Sequence, residues 1–218
     1  MHYGYIAQIA IDLIVNPAFI YKNMNWPNRL TLTRILLAPA FMVFFLVEAV
    51  WARLIALIIF IIAAATDLID GWIARKYNIV TGFGKFMDPL ADKILASIAL
   101  ISFVMLGYCQ NWMVLPIIIR EFFIMGLRSL AAYKGIVITP TWWAKLKTFM
   151  QMTSIGLILL YINLQTFAPG IGINWGILSN QDAYRFFDGL VLVTMIITIA
   201  TGIDYLVKNF YLLKNVLR

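Results

Sequence analysis

Six long apolar blocks constrain this chain more than any other feature, because each is close to the length that crosses a lipid bilayer. A membrane-spanning helix needs about 20 consecutive, mainly apolar residues. The blocks lie near residues 31–50, 52–73, 91–108, 113–133, 148–167 and 184–206. Only 12% of the 218 residues are charged, whereas about a quarter are charged in a soluble domain. The sequence therefore predicts an all-α, polytopic membrane protein with six transmembrane helices.

Residues 1–24 are less apolar, because Asp12, Asn16 and Pro17 interrupt them. They lack the basic opening region and the small-residue cleavage site of a signal peptide. We expect them to form an N-terminal interfacial helix. One membrane domain should follow over residues 25–218.

Lysines and arginines are concentrated in alternate connecting segments. They are frequent near both ends of the chain and in the loops 74–90 and 134–147, whereas the opposite segments contain little beyond Arg53 and Arg185. Cytoplasmic loops of membrane proteins are enriched in these residues. We therefore expect a multi-pass protein of the cell (inner) membrane, with both termini and both loops in the cytoplasm. The net charge of +7 then indicates contact with anionic lipid and not with nucleic acid.

A first pair of aspartates lies at the end of the second block, in the run Asp67-Leu-Ile-Asp70-Gly71-Trp-Ile-Ala74-Arg75. A helix advances about 100° per residue, so the two aspartates, Gly71 and Ala74 share one stripe, with Arg75 at its margin. Carboxylate oxygens are ligands for Mg²⁺ or Mn²⁺. The two small residues allow a bulky ligand to approach the helix, and a guanidinium group suits phosphate.

A second pair, Asp88 and Asp92, is four residues apart and also shares a helix face. Asp88 followed by Pro89 is equally typical of a helix N-cap, and the alternative for the first pair is a buried salt bridge with Arg75. Intramembrane carboxylates are usually functional. The only histidine is His2, so histidine ligation is not expected. Together the four aspartates predict a divalent-metal site on the cytoplasmic face.

The run from Asp67 to Asp92 resembles the complete signature of the CDP-alcohol phosphatidyltransferases, with all eight defining positions at the family spacing. The similarity covers about residues 25–155 and is strongest with bacterial members that use sn-glycerol 3-phosphate. The resemblance implies a six-helix membrane enzyme, usually a homodimer. Such an enzyme transfers the phosphatidyl group of CDP-diacylglycerol to an alcohol and releases CMP.

The resemblance also implies roles for individual residues. Two Mg²⁺ or Mn²⁺ ions would be bound by four carboxylates: Asp67, Asp70, Asp88 and Asp92. Asp92 would also be the catalytic general base that takes a proton from the acceptor hydroxyl. The CDP-lipid would contact seven positions: Asn28, Thr31, Gly71, Ala74, Arg75, Thr81 and Gly84.

An anionic acceptor also needs cations. Arg120 and Arg128 are eight residues apart on one broad face of the fourth block, and Lys145 and Lys147 precede the fifth. We predict that these four residues bind the acceptor phosphate, with Glu121 organising the cations. The alternatives are a buried carboxylate partner for Arg120, and snorkelling or lipid-surface contact for Arg128 and both lysines.

Three other functions remain open from the sequence. Cardiolipin synthases of the same family use phosphatidylglycerol as acceptor, and phosphatidylinositol-phosphate synthases use inositol phosphate. The arginines of the fourth block favour glycerol phosphate. An ion-coupled transporter would instead need acidic residues along several spans, whereas Glu48, Asp182 and Asp188 are the only acidic residues of the outer half.

Overall fold

Six α-helices form the part of the chain that the computed structural model describes, which is residues 26–77, 82–135, 142–167 and 180–216. Side chains are described for residues 29–66, 87–132, 134–135, 142–167 and 181–210. The helices are α1 (Trp26–Leu46), α2 (Val50–Tyr77), α3 (Gly82–Met105), α4 (Asn111–Tyr133), α5 (Trp142–Phe167) and α6 (Asn180–Val216). Over these ranges there is no strand, so the predicted all-α class is confirmed. The predicted helix over 1–24 lies outside the described residues.

Each predicted apolar block corresponds to one helix. Within the residues whose side chains are described, two helices contain a stretch that is long and apolar enough to cross a membrane, Arg29–Leu46 in α1 and Gln181–Phe210 in α6. Helix α2 contains a shorter apolar stretch, Val50–Thr66. Six membrane spans therefore remain a prediction.

The end of α3 is fixed by Gly107. This residue has a φ of 80°, a left-handed conformation that glycine adopts without the steric cost of a Cβ atom. The Gly107 amide donates to the Val104 carbonyl at 3.0 Å, and the Tyr108 amide donates to the Phe103 carbonyl at 2.9 Å. This pair of hydrogen bonds is the Schellman motif, which terminates helices. The chain can consequently turn back into α4 within a few residues.

Helix α3 lies at the centre of the bundle, because it contacts α1, α2, α4 and α5. Helix α6 packs on α4 and α5. A large apolar cluster fills one end of the bundle, where buried residues such as Phe41, Phe103, Ile117, Ile158 and Phe187 meet. Of the predicted site residues with described side chains, Thr31, Asp88, Asp92 and Lys147 lie toward the opposite end.

Candidate active site

Helix α2 continues through the first aspartate pair and ends at Tyr77. Its helical backbone supports the predicted common stripe for this pair. For several predicted site residues only the backbone is described: Asn28, Asp67, Asp70, Gly71, Ala74, Arg75 and Gly84. Thr81 lies wholly outside the described residues. Their roles remain predictions.

The second aspartate pair lies inside α3, one helical turn apart. Helix α3 begins at Gly82, so the interpretation of Asp88 as a helix N-cap is wrong. The helix continues through Pro89. The Thr31 hydroxyl of α1 donates to Asp88 Oδ1 at 2.5 Å. Thr31 was expected to contact the nucleotide. In the structure it orients Asp88, a predicted metal ligand.

Asp92 lines a cavity of about 260 Å³ between α1, α2, α3 and α5. Arg34 lines the same cavity and is only 1% exposed. Its Nε donates to the Ala63 carbonyl at 3.1 Å. Apolar side chains, including Phe60 and Ile155, form much of the remaining wall. A carboxylate therefore faces a largely apolar cavity that also contains a guanidinium group.

Glu121 of α4 is the most heavily paired carboxylate of the described side chains. It is 4% exposed and contacts Lys93 Nζ at 2.8 Å and Arg120 Nη1 at 2.9 Å, and it also accepts a hydrogen bond from Lys147. We call these four residues the charged cluster. Lys93 also lies 3.4 Å from Asp92 Oδ2, which joins the cluster to the predicted general base.

The acceptor residues predicted from sequence are only partly brought together. The Lys147 side chain is only 1% exposed and forms an ion pair with Glu121. The interpretation that this lysine snorkels to the membrane surface is therefore wrong. Arg120 has the buried carboxylate partner that was one alternative, and it also donates to Thr201 Oγ1 at 3.3 Å. The Arg120 stem passes close to α6 at Gly202, where a Cβ atom would stand 3.1 Å from Arg120 Cγ.

Arg128 and Lys145 lie apart from this arrangement. Both side chains are exposed. The Arg128 guanidinium carbon stands 5.9 Å from the centroid of the Tyr205 ring, which is within cation–π range. Neither residue contacts the charged cluster among the described interactions, so their part in acceptor binding remains a prediction.

Sequence reasoning missed Lys93 and the polar face of α5. Lys93 directly follows Asp92, and its partner Glu121 is distant in the chain, so no local pattern reveals the pair. The α5 face could have been found, because Lys147, Gln151 and Ser154 follow the four- and three-residue spacing of one helix face. All three side chains are buried.

The described donors are compatible with a hard divalent cation, although they do not complete a site. Asp88 and Asp92 present carboxylate oxygens from one face of α3. Over the described side chains, no group of three or more His, Cys, Asp or Glu residues is close enough to hold a metal. The first aspartate pair would have to supply the remaining ligands.

The structure is a helical bundle with carboxylates and buried cations at one end. Comparison of the sequence with known families shows which class of protein has these features. The family model of the CDP-alcohol phosphatidyltransferases matches residues 24–200. The chain therefore belongs to this family, as its motif predicted.

Individual relatives carry one enzyme name, CDP-diacylglycerol–glycerol-3-phosphate 3-phosphatidyltransferase. The protein of that name from Bacillus subtilis is 38% identical over 203 residues, which is 88% of this chain and 98% of the relative. The protein from Salmonella paratyphi A is 39% identical over 154 residues, 68% of this chain and 84% of the relative. The protein from Rickettsia typhi is 39% identical over 136 residues, 62% of this chain and 76% of the relative.

Proposed function

We propose that this protein transfers the phosphatidyl group of CDP-diacylglycerol to sn-glycerol 3-phosphate, giving phosphatidylglycerophosphate and CMP. Family membership and the enzyme name shared by the relatives support this reaction. The structural observation that supports it best is the charged cluster, which places buried cations next to Asp92.

The charge of the cluster suits a phosphate-bearing acceptor. Three cations around the single carboxylate of Glu121 leave a net formal charge of plus two. A phosphate monoester has a charge of about −1.5 to −2 at neutral pH. Burial strengthens charge-assisted hydrogen bonds, because little water competes for them. A neutral or cationic alcohol would gain nothing comparable from this site.

Asp92 acts as the general base of the transfer. It takes the proton of the acceptor 1-hydroxyl while that oxygen attacks the β-phosphorus of CDP-diacylglycerol. The new bond joins the hydroxyl oxygen to the β-phosphorus. The bond from the β-phosphorus to the oxygen that bridges to the α-phosphate breaks, and CMP leaves with this oxygen. The adjacent Lys93 lies 3.4 Å from Asp92 Oδ2 and so links the base to the charged cluster.

Divalent metal ions fit the aspartate motif of this family. The residues that would hold two Mg²⁺ or Mn²⁺ ions are Asp67, Asp70, Asp88 and Asp92. When bound, the ions supply positive charge to the diphosphate and the departing CMP. The residues that would contact the CDP-lipid are Asn28, Thr31, Gly71, Ala74, Arg75, Thr81 and Gly84. Of these, Thr31 also fixes Asp88 through its hydrogen bond.

The bundle lies in the cell membrane with all six helices crossing it. Every described helix exposes large apolar side chains, for example Leu36, Trp51, Met105, Ile119, Phe149 and Ile203. Exposed apolar surface of this extent is suited to lipid contact. The positive-inside bias places the aspartates, the charged cluster and both termini on the cytoplasmic side. The working unit is a homodimer, as the resemblance to the family implies.

The reaction can be tested by measuring CMP release from purified protein with CDP-diacylglycerol and Mg²⁺. The acceptors compared are sn-glycerol 3-phosphate, phosphatidylglycerol, inositol phosphate and none. We expect CMP release with glycerol phosphate, and loss of release after chelation of the metal by EDTA. Equal release with phosphatidylglycerol or inositol phosphate would show that the acceptor is wrong. Absence of release with every acceptor would show that the reaction class is wrong.

A further inference from the structure

Helices α5 and α6 face each other through a buried polar seam, which we define as Gln151 and Ser154 of α5 with Thr194 and Thr198 of α6. All four side chains are buried, with Gln151 3% and Thr198 0% exposed. Polar side chains inside a helix bundle are normally hydrogen-bonded, because burying an unpaired polar atom costs free energy.

Two contacts fix the level of the seam along the bundle. Ser154 Oγ and Thr194 Oγ1 lie 3.0 Å apart at its deeper end. At its other end, Arg120 of the charged cluster donates to Thr201 of α6. Gln151 precedes Ser154 by three residues, and Thr198 precedes Thr201 by three. Both residues consequently lie between the two contacts, next to the charged cluster.

The seam contains both satisfied and unsatisfied oxygens. Ser154 Oγ also donates to the Met150 carbonyl, and Thr194 Oγ1 donates to the Leu190 carbonyl. By contrast, Gln151 Oε1 and Thr198 Oγ1 are buried and have no hydrogen-bond partner among the described residues. The two unpaired oxygens thus occur at the level between the two fixed contacts.

We propose that Gln151 and Thr198 bind the 2-hydroxyl of the acceptor and so determine specificity for a glycerol-type phosphate. This inference rests on the proposed function, and it assigns a different part of the acceptor from the phosphate. The acceptor hydroxyl donates to Gln151 Oε1 and accepts from the Thr198 hydroxyl. Both side chains are uncharged, so they suit a neutral hydroxyl and not a second phosphate or an ammonium group.

The position of the seam agrees with the size of the acceptor. Gln151 is one turn from Lys147, about 6 Å along the helix axis, which is within the reach of a three-carbon chain whose phosphate sits on the charged cluster. The next residue, Met152, lines the cavity that Asp92 lines. Gln151 and Thr198 border this cavity from behind Met152 and do not line it, so the acceptor hydroxyl reaches them only when the Met152 side chain gives way. A small acceptor can then present its phosphate to the charged cluster, its 2-hydroxyl to the seam and its reacting 1-hydroxyl to Asp92.

The test compares sn-glycerol 3-phosphate with 3-hydroxypropyl phosphate, which keeps the reacting hydroxyl and the phosphate but lacks the 2-hydroxyl. The wild-type protein should use glycerol phosphate with a kcat/KM about 10- to 100-fold higher, because the analogue leaves the two buried oxygens unpaired. If wild type uses both acceptors equally well, the inference is overturned without any variant.

Two nearly isosteric variants sharpen the comparison: Gln151→Met and Thr198→Val. Each should lower kcat/KM for glycerol phosphate about 10-fold while changing the value for 3-hydroxypropyl phosphate less than about twofold. The matched control is Ser154→Ala, since this hydroxyl is already paired inside the seam. It should leave the ratio between the two acceptors unchanged.

Three results have distinct meanings. An equal loss for both acceptors in Gln151→Met and Thr198→Val means that the seam has a structural role, and the inference fails while the proposed function stands. Loss of discrimination in Ser154→Ala as well would show that seam packing, and not the unpaired oxygens, sets the preference. If wild type releases no CMP with glycerol phosphate, the proposed function fails and the inference fails with it.

Discussion

The two ends of the helix bundle are built on different principles. At the apolar end, Phe41 and Phe45 have ring centroids 5.0 Å apart, and Phe45 and Phe103 meet edge to face at 5.9 Å. The Tyr108 hydroxyl is paired there, because it donates to Gln165 at 2.9 Å, whereas Asn163 Oδ1 and Asp188 Oδ1 are buried without a partner among the described residues. Close packing of this kind stabilises a bundle. Nothing in this cluster has chemistry to perform.

The charged end holds groups that are costly to bury. Glu121 and Lys147 are both removed from solvent, and removing charges from water offsets much of their mutual attraction. One turn away, Gln151 and Thr198 have unpaired oxygens. Buried charged groups and unpaired polar oxygens add little to folding stability, but they can bind a polar or charged ligand. Aromatic packing and buried charges are therefore concentrated at opposite ends of the bundle. If stability depends mainly on the first and chemistry on the second, variants at the two ends should have different effects.

The largest effect is expected for Asp92→Asn at the charged end. Loss of the general base should lower kcat by about 10³-fold, while CDP-diacylglycerol still raises the Tm of the protein. CMP release and thermal unfolding with the CDP-lipid measure the two effects. The control is Asp204→Asn, because Asp204 is a partly exposed aspartate paired with Lys208. Near-normal turnover of Asp92→Asn would remove Asp92 as the base.

Glu121→Gln should affect both stability and acceptor binding. Three cations would then lack their shared carboxylate, and breaking a buried ion pair costs about 3–5 kcal/mol. We expect a lower Tm that inorganic phosphate restores more strongly than it stabilises wild type, since the anion replaces the lost charge. The exposed Glu48 provides the control variant, Glu48→Gln. If phosphate stabilises Glu121→Gln no more than wild type, the charged cluster does not bind phosphate.

Phe103→Ala tests the opposite end of the bundle. Deleting this buried ring should cost about 3 kcal/mol of stability. The kcat/KM of the remaining folded protein should stay within about twofold of wild type. Thermal unfolding and CMP release per folded molecule report the two quantities. A large loss of kcat/KM in folded protein would contradict the separation of the two ends.

The smallest effect is expected for Arg128→Ala. If its exposed guanidinium contributes to acceptor binding as predicted, the apparent KM for glycerol phosphate should rise about threefold with kcat unchanged. Lys208→Ala is a control, because Lys208 is another exposed cation of the same end. An unchanged KM in Arg128→Ala would exclude this arginine from the acceptor site.

The aspartate motif could be predicted from the sequence because its members are close along the chain. One helix turn relates Asp88 to Asp92, and helix geometry alone puts them on the same face. The motif also predicted the family, which the comparisons confirm. The all-helical class followed from the apolar blocks in the same way.

The charged cluster could not be predicted as fully, because it depends on contacts between helices. Lys93, Glu121 and Lys147 come from α3, α4 and α5, and their spacing in sequence contains no period that relates them. The alternative role of Asp88 as a helix N-cap was wrong for a different reason. An Asp-Pro pair is typical of a helix start, whereas α3 begins six residues earlier, at Gly82. Tertiary packing decided both outcomes.

The short turn at Gly107 has a consequence for biogenesis. Helices α3 and α4 carry Lys93 and Glu121, which neutralise each other at 2.8 Å, and an isolated charge is expensive at the translocon. We expect the two segments to insert together as a hairpin in which Lys93 and Glu121 are already paired, before the segment with Lys147 is synthesised. Glu121 keeps Arg120 at 2.9 Å when Lys93 alone is replaced. In a glycosylation-reporter assay of the hairpin, Lys93→Leu combined with Arg120→Leu should therefore lower insertion of α4 more than Lys93→Leu alone, because only the double variant leaves the carboxylate without a cation on these two helices.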